Sequence, residues 1–216
     1  MSVRSSLLAA AAAWAALVAV AQAQDFTSKH AGLFVADVRL SDVTSNASDA
    51  ITTAAGAASG LHVAVGDSYV PTLGLEYFFT DHLAAELVLG TSHHDIHAVG
   101  SGVNVKVADT WVVPPVLTLQ YHFAPKARFS PYVGAGLNAM VFYGASGANG
   151  FRVQVKDSVG AALQLGADYA VQGPWTLNVD VKKVFVEDDA SINSQALRSK
   201  VNLDPWVLSL GFGRRF

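Results

Sequence analysis

The 216-residue sequence contains no cysteine, so an exported form of this chain is held together without disulfides. Charge is scarce too. Asp, Glu, Lys and Arg make up 14 % of the residues against 51 % hydrophobic ones, where a soluble domain carries about 25 % charged residues. Long apolar runs are also missing: after the first 23 residues none approaches the roughly 20 residues that a spanning helix needs. No segment sustains a 3.6-residue period, so no long helix is predicted there. The excess hydrophobicity is therefore spread along the chain. There is no basic surplus either, the formal charge being −3, which leaves no positive field for nucleic acid. Gly134 and Gly136 in "YVGAGLN" lack the following helix and lysine of a phosphate loop, so nucleotide readings fail and no cofactor is implied.

The first stretch, "MSVRSSLLAAAAAWAALVAVAQAQ", has a basic residue (Arg4), an apolar segment from Leu7 to Val20 and the small-x-small triplet Ala21-Gln22-Ala23. It reads as a secretory signal peptide over 1–23, cut before Gln24. Loss of Arg4 takes the formal charge to −4. Residues 24–216 then form one domain.

That domain reads as strands with period-two alternation, over about 30–43, 69–79, 83–91, 113–123, 131–143, 156–171, 175–186 and 206–216. In one, Val159, Ala161, Leu163, Leu165, Ala167, Tyr169 and Val171 share a face opposite Gly160, Gln164, Gly166 and Asp168. Short connections ("TD" at 80–81, "APKARFS" and "QGP") alternate with long polar or Gly-rich ones, 44–68, 92–112, 144–155 and 187–205. This predicts an all-β, eight-stranded antiparallel up-and-down barrel with two unlike rims.

Which face points outward decides the class. The apolar row is the longer and more continuous. Inside a narrow barrel it would overfill the space while leaving few charges for water; outside, it forms a lipid-facing band around a polar lumen. Aromatic residues agree: Tyr77, Phe79, Tyr121, Phe123, Tyr169, Trp175 and Phe216 lie near the short turns, and Trp206, Phe185 and Tyr143 at the opposite ends, as interfacial girdles do. Eleven residues tilted by about 40° cover roughly 25–28 Å, the height of such a band. Closure also pairs every backbone group, as lipid requires.

Alternation then maps the lumen. Its lower half is predicted to hold Glu76, Glu86, Gln120, His122, Gln164, Asp168, Asn178, Asp180 and Arg215, with Lys182 higher. Of these, Glu76, Glu86, His122, Asp168, Asp180 and Arg215 form a charged plug in which Arg215 pairs with Asp168 or Glu76. The upper half holds Val88, Val116, Met140, Phe142, Val184, Val186 and Val207, an apolar funnel that is open outside and closed below. An eight-stranded barrel has room only for side chains or one small ligand, so a general water-filled pore is excluded. A solute that enters the funnel must leave sideways, between strands. The plainer reading is that these residues simply pack the lumen. His93, His94, Asp95 and His97 in "SHHDIH" are metal-ligand types, but their irregular spacing favours a solvated loop over a metal site. The acidic "EDD" at 187–189 reads as a hydrated rim.

Several segments carry a family resemblance: "YFFTDHLAAEL" (77–87), "HDI" (94–96), "PPVLTLQYHF" (114–123), "FSPYVGAGLNAMVF" (129–142), "LGADY" (165–169) and "DPWVLSLGFGRRF" (204–216). In this order the chain resembles the OmpW/AlkL family of outer-membrane proteins, although 44–68 is unlike the family's usual text. The resemblance implies an eight-stranded barrel in the bacterial outer membrane with a hydrophobic lumen, passage of small hydrophobic molecules and their release into the bilayer. It also implies that the aromatic C-terminal residue is read by the barrel-assembly machinery. Expected partners are thus outer-membrane lipid, small hydrophobic solutes and that machinery, with no nucleic acid. A structural or adhesive barrel without transport is the alternative. A lipid-modifying enzyme is the weaker one, because nothing places a serine such as Ser130, a base such as His122 and an orienting acid together.

Overall fold

A computed structural model describes residues 25–45, 49–149, 153–155, 157–192 and 197–216; the expected signal peptide lies outside them. Fifteen strands follow in chain order: β1 (Phe34–Thr44), β2 (Ala50–Thr53), β3 (Ala58–Val65), β4 (Ser68–Phe78), β5 (Leu83–Gly90), β6 (Ser92–Gly100), β7 (Val103–Val113), β8 (Val116–His122), β9 (Phe129–Gly147), β10 (Val153–Val155), β11 (Ser158–Ala170), β12 (Trp175–Phe185), β13 (Glu187–Ile192), β14 (Leu197–Asn202) and β15 (Trp206–Arg215).

Eight of them close into an antiparallel barrel, β1-β4-β5-β8-β9-β11-β12-β15, with β15 pairing back onto β1. These are the eight segments expected from the alternation. At the seam Phe216 N donates to Phe34 O (2.7 Å), and the two rings lie 6.2 Å apart. The alternation sorts the faces. In β8, Val116, Thr118, Gln120 and His122 are buried inside, while Leu117, Leu119 and Tyr121 are exposed outside. Val38 is 65 % exposed, Leu210 64 % and Val159 69 %. A contiguous apolar exterior of this kind belongs in lipid.

Two features depart from expectation. First, the long connections are not irregular loops. They contain β2, β3, β6, β7, β10, β13 and β14, which extend the wall beyond the barrel as an antiparallel sheet joined through the long strand β9. Register shifts at Ile51/Thr52, Ile96/His97 and Asp109/Trp111 interrupt the alternation. A bulge moves the following side chains to the other face, so the period-two signal is broken where these strands run. Inside this extension Ile51, Val63, Ala98, Val107 and Ala108 form an apolar core.

Second, residues 25–32 are no part of the wall. They cross its short-turn end: Thr27 N donates to Gly173 O (2.8 Å), Lys29 N to Pro125 O (3.1 Å) and Gly32 N to Phe78 O (2.8 Å). Three short turns are thus tied by one strap, whose Lys29 is 1 % exposed.

Candidate functional site

The lower lumen is filled by ionisable side chains in two linked groups. The upper group centres on Arg39. Its guanidinium donates twice to Asp37, once to Glu86 and, at 2.5 Å, to Asp180 Oδ2. Lys182 Nζ lies 2.9 and 3.0 Å from the Asp180 oxygens and 3.4 Å from Glu86 Oε2. Gln164 Nε2 donates to Glu86 Oε2 (2.9 Å), while its Oε1 accepts from Thr118 and Gln120. The planar fork of an arginine suits three carboxylates at once, which a lysine cannot match. Glycines make the room: a Cβ on Gly74, opposite Asp37, would lie 2.6 Å from Arg39 Nη2, and one on Gly211, opposite Arg39, 2.8 Å from Arg39 Cγ.

The lower group centres on the strap's Lys29. Its Nζ donates to Asp168 Oδ2 (2.5 Å), His122 Nδ1 (2.5 Å) and Ser130 Oγ (2.9 Å). An ammonium has no acceptor, so Nδ1 of His122 is the accepting nitrogen and the ring proton sits on Nε2. Nε2 is 3.0 Å from Gln120 Oε1 and 2.9 Å from Glu76 Oε1. Asn178 Nδ2 joins Asp168 (2.8 Å) to the Tyr132 hydroxyl (2.9 Å). All these groups are buried, and buried charges persist only when paired and hydrogen-bonded.

Glu76, Glu86, His122, Asp168 and Asp180 thus stand together in the lower lumen. Arg215 is buried beside them but not in the expected pairing. It donates to the strap, at Thr27 O (2.5 Å), and to Thr176 Oγ1 (3.2 Å). The strap's Thr27 carbonyl takes the place of the expected carboxylate as hydrogen-bond acceptor. Lys29, Asp37, Arg39 and Tyr132 were missed. Val35, Asp37, Arg39 and Ser41 alternate inward on β1, and Tyr132 shares the inward parity of Asn138 and Met140 on β9, so three of the four carried the usual signal. Lys29 did not, since it lies outside any strand.

Ser130, His122 and Asp168 do meet here, around Lys29. A nucleophilic serine must give its proton to a base. Instead both Ser130 Oγ and the histidine's accepting nitrogen receive protons from one ammonium, and none of the three is open to solvent.

Above the charged layer the interior turns apolar. Val88, Val112, Val116, Met140, Ala162, Val184 and Val186 pack as one cluster, with Phe142 and Leu203 against it. A cavity of about 80 Å³ lies among Val88, Val116, Met140, Val184 and Val207, with Lys182, Ser41 and Ser209 on its walls. Leu203 also packs on the core of the extension, so apolar surface continues from the extension to Lys182. Pro114 borders the cavity where the wall changes. Pairing runs from Leu83↔Tyr121 to Val88↔Val116 and resumes at Ser92↔Val112. Between them lie Pro114 and Pro115, which have no N–H to donate to a ladder.

"SHHDIH" lies on β6 rather than in a loop. His93 and Asp95 point outward. His94 turns in, with Nε2 2.9 Å from Ser92 Oγ and Nδ1 3.0 Å from Gly66 O, and burial pushes its pKa below the ordinary value. His97 Nδ1 is 2.8 Å from Asn104 Oδ1. In the acidic tract Glu187 is exposed at the start of β13; the side chains of Asp188 and Asp189 lie outside the described residues.

A closed eight-stranded wall with a largely apolar exterior, aromatic residues toward both ends and a layer of charged side chains buried within is an outer-membrane β-barrel. The profile of the OmpW family matches residues 30–216, and the chain belongs to that family of non-enzymatic bacterial outer-membrane barrels. It is 45 % identical over 161 residues to the uncharacterised outer-membrane protein y4mB of Sinorhizobium fredii, covering 73 % of this chain and 70 % of that one. It is 32 % identical over 157 residues to outer membrane protein W of Escherichia coli, covering 67 % and 71 %. Among solved structures, the crystal structure of OprG from Pseudomonas aeruginosa superposes with a TM-score of 0.83 at 28 % identity, over 88 % of this chain and 99 % of that one.

Proposed function

We propose that this barrel admits small hydrophobic molecules from outside into its apolar upper lumen and releases them sideways into the membrane. The observation that carries the reading is the change of character along the lumen. The apolar clusters reach down to Lys182, and below it the paired charges of Arg39 and Lys29 fill the interior. An apolar solute meets a mainly apolar lining, with Ser41, Ser92, Asn138 and Ser209 among its polar members, then a layer it cannot cross without separating buried ion pairs. The interruption at Pro114 and Pro115 supports the exit, since the wall there lacks two donors and borders the cavity.

The cavity, at about 80 Å³, is smaller than the engineered cavity of about 150 Å³ that takes benzene. Passage therefore needs side chains to move. Met140 suits this role, because an unbranched thioether changes rotamer at little cost.

Uptake of a labelled medium-chain alkane into cells tests the reading. The double variant Met140→Asp, Phe142→Asp places carboxylates along the passage. A barrier raised by 1.4 kcal/mol is a tenfold loss of rate, and an unpaired carboxylate in apolar surroundings exceeds that. Uptake per folded barrel, counted by heat-modifiable gel mobility, is expected to fall about tenfold or more. Unchanged uptake would leave the apolar lumen as packing alone.

A further inference from the structure

We propose that the outward face of the β6–β7 ribbon is a binding site for a divalent cation of the zinc class, with His93, Asp95 and Asp109 as its ligands. The site stands apart from the lumen and does not rest on the transport reading.

Asp95 and Asp109 are direct partners across the two strands. Like charges in that position are destabilising unless something cationic lies between them. Lys106 now does so, with Nζ 2.7 Å from Asp95 Oδ1 and 3.3 Å from Asp109 Oδ2. It reaches there because the register shift at Ile96/His97 brings Lys106, rather than Val107, opposite His97.

The imidazole adds what a plain ion pair does not need. His93 packs on Trp111, ring centroids 5.0 Å apart, which fixes the ring plane. Its Nε2 points at Asp109 Oδ1 from 3.5 Å. That is too long for a good hydrogen bond. It is close to the ligand-to-ligand edge of a tetrahedral zinc site, about 3.3 Å for metal–ligand bonds of about 2.05 Å. One donor atom from each of His93, Asp95 and Asp109 lies within 4.8 Å of the others, so small rotations close the set. Nitrogen with carboxylate oxygen suits zinc better than magnesium. Three protein ligands leave a fourth position for water or an anionic headgroup. Lys106 occupies the position of the cation and competes with it.

The test uses the full barrel, refolded in detergent and titrated with Zn²⁺ by calorimetry in millimolar Mg²⁺. Co²⁺ is used in parallel to read the visible bands of a tetrahedral ion. One equivalent of Zn²⁺ is expected to bind. His93→Ala should weaken it at least tenfold, and Lys106→Met should tighten it several-fold, because the competitor is gone. All four side chains are partly exposed, so both variants fold, as heat-modifiable gel mobility will verify. Absence of zinc binding, binding equally tight in His93→Ala, or weaker binding in Lys106→Met would each overturn the proposal.

Discussion

Replacing Arg39 by methionine tests the charged layer most sharply. The substitution keeps the volume and removes the guanidinium from Asp37, Glu86 and Asp180. The three carboxylates do not suffer equally. Glu86 keeps Lys182 at 3.4 Å and Gln164 at 2.9 Å, and Asp180 keeps Lys182 at 2.9 and 3.0 Å. Asp37 is left with no cation among the contacts described. Removing one partner of a buried pair costs about 3–5 kcal/mol, and here most of that cost falls on Asp37. Adding Asp37→Asn should therefore recover a substantial part, with a coupling energy of about 1–3 kcal/mol in the double-mutant cycle. Urea unfolding of the barrel in lipid vesicles, followed by tryptophan fluorescence, measures all four corners. A cost below about 1 kcal/mol for Arg39→Met, or strict additivity with Asp37→Asn, would refute the view that Arg39 organises the layer.

Other outcomes follow from the same geometry. Lys29→Met should lower vesicle stability by about 3–5 kcal/mol, since it strips Asp168 of its ammonium; a cost below about 1 kcal/mol would mean that the strap does not anchor the lumen. Deleting Phe216 removes the seam hydrogen bond to Phe34 O and the ring contact; it should slow assembly, read as the lag to the heat-modifiable form in cells, more than it changes solute preference. At the rim, Lys126 and the Ala31 N–H hold the Asp81 carboxyl below its ordinary value. A depressed carboxylate stabilises above its unfolded pKa and loses the effect as pH falls through the folded one. The gap in stability between wild type and Asp81→Asn should thus be present at pH 7 and vanish in acid; a gap that persists at pH 2 would contradict the pairing.

The wall of the barrel was legible because membrane strands have a strict period of two and obey it without interruption. Asp168, Asn178 and Asp180 followed from that rule, as did the outward aromatic residues. The extension was not legible, since each of its bulges resets the alternation, and the Ala/Gly-rich run before β3 carries little contrast between faces. Lys29 was beyond any periodic argument. Its place is set by a strap whose backbone bonds three turns distant in sequence, a tertiary relation with no local mark. The same strap explains Arg215, which looked like a partner for a carboxylate and bonds a strap carbonyl instead.

Lateral exit is the central claim, and the absence of cysteine makes it directly testable. Pairing on either side of the interruption, Val88 with Val116 and Ser92 with Val112, sets Thr91 opposite Val113. Directly opposed antiparallel residues lie about 4.5–5.5 Å apart at Cα, within the reach of a disulfide. Uptake of a labelled medium-chain alkane is to be measured for the Thr91→Cys, Val113→Cys variant, oxidised and then reduced. Loss of uptake in the oxidised barrel and its return on reduction is the predicted result; equal uptake in both states, with the disulfide verified, would contradict it.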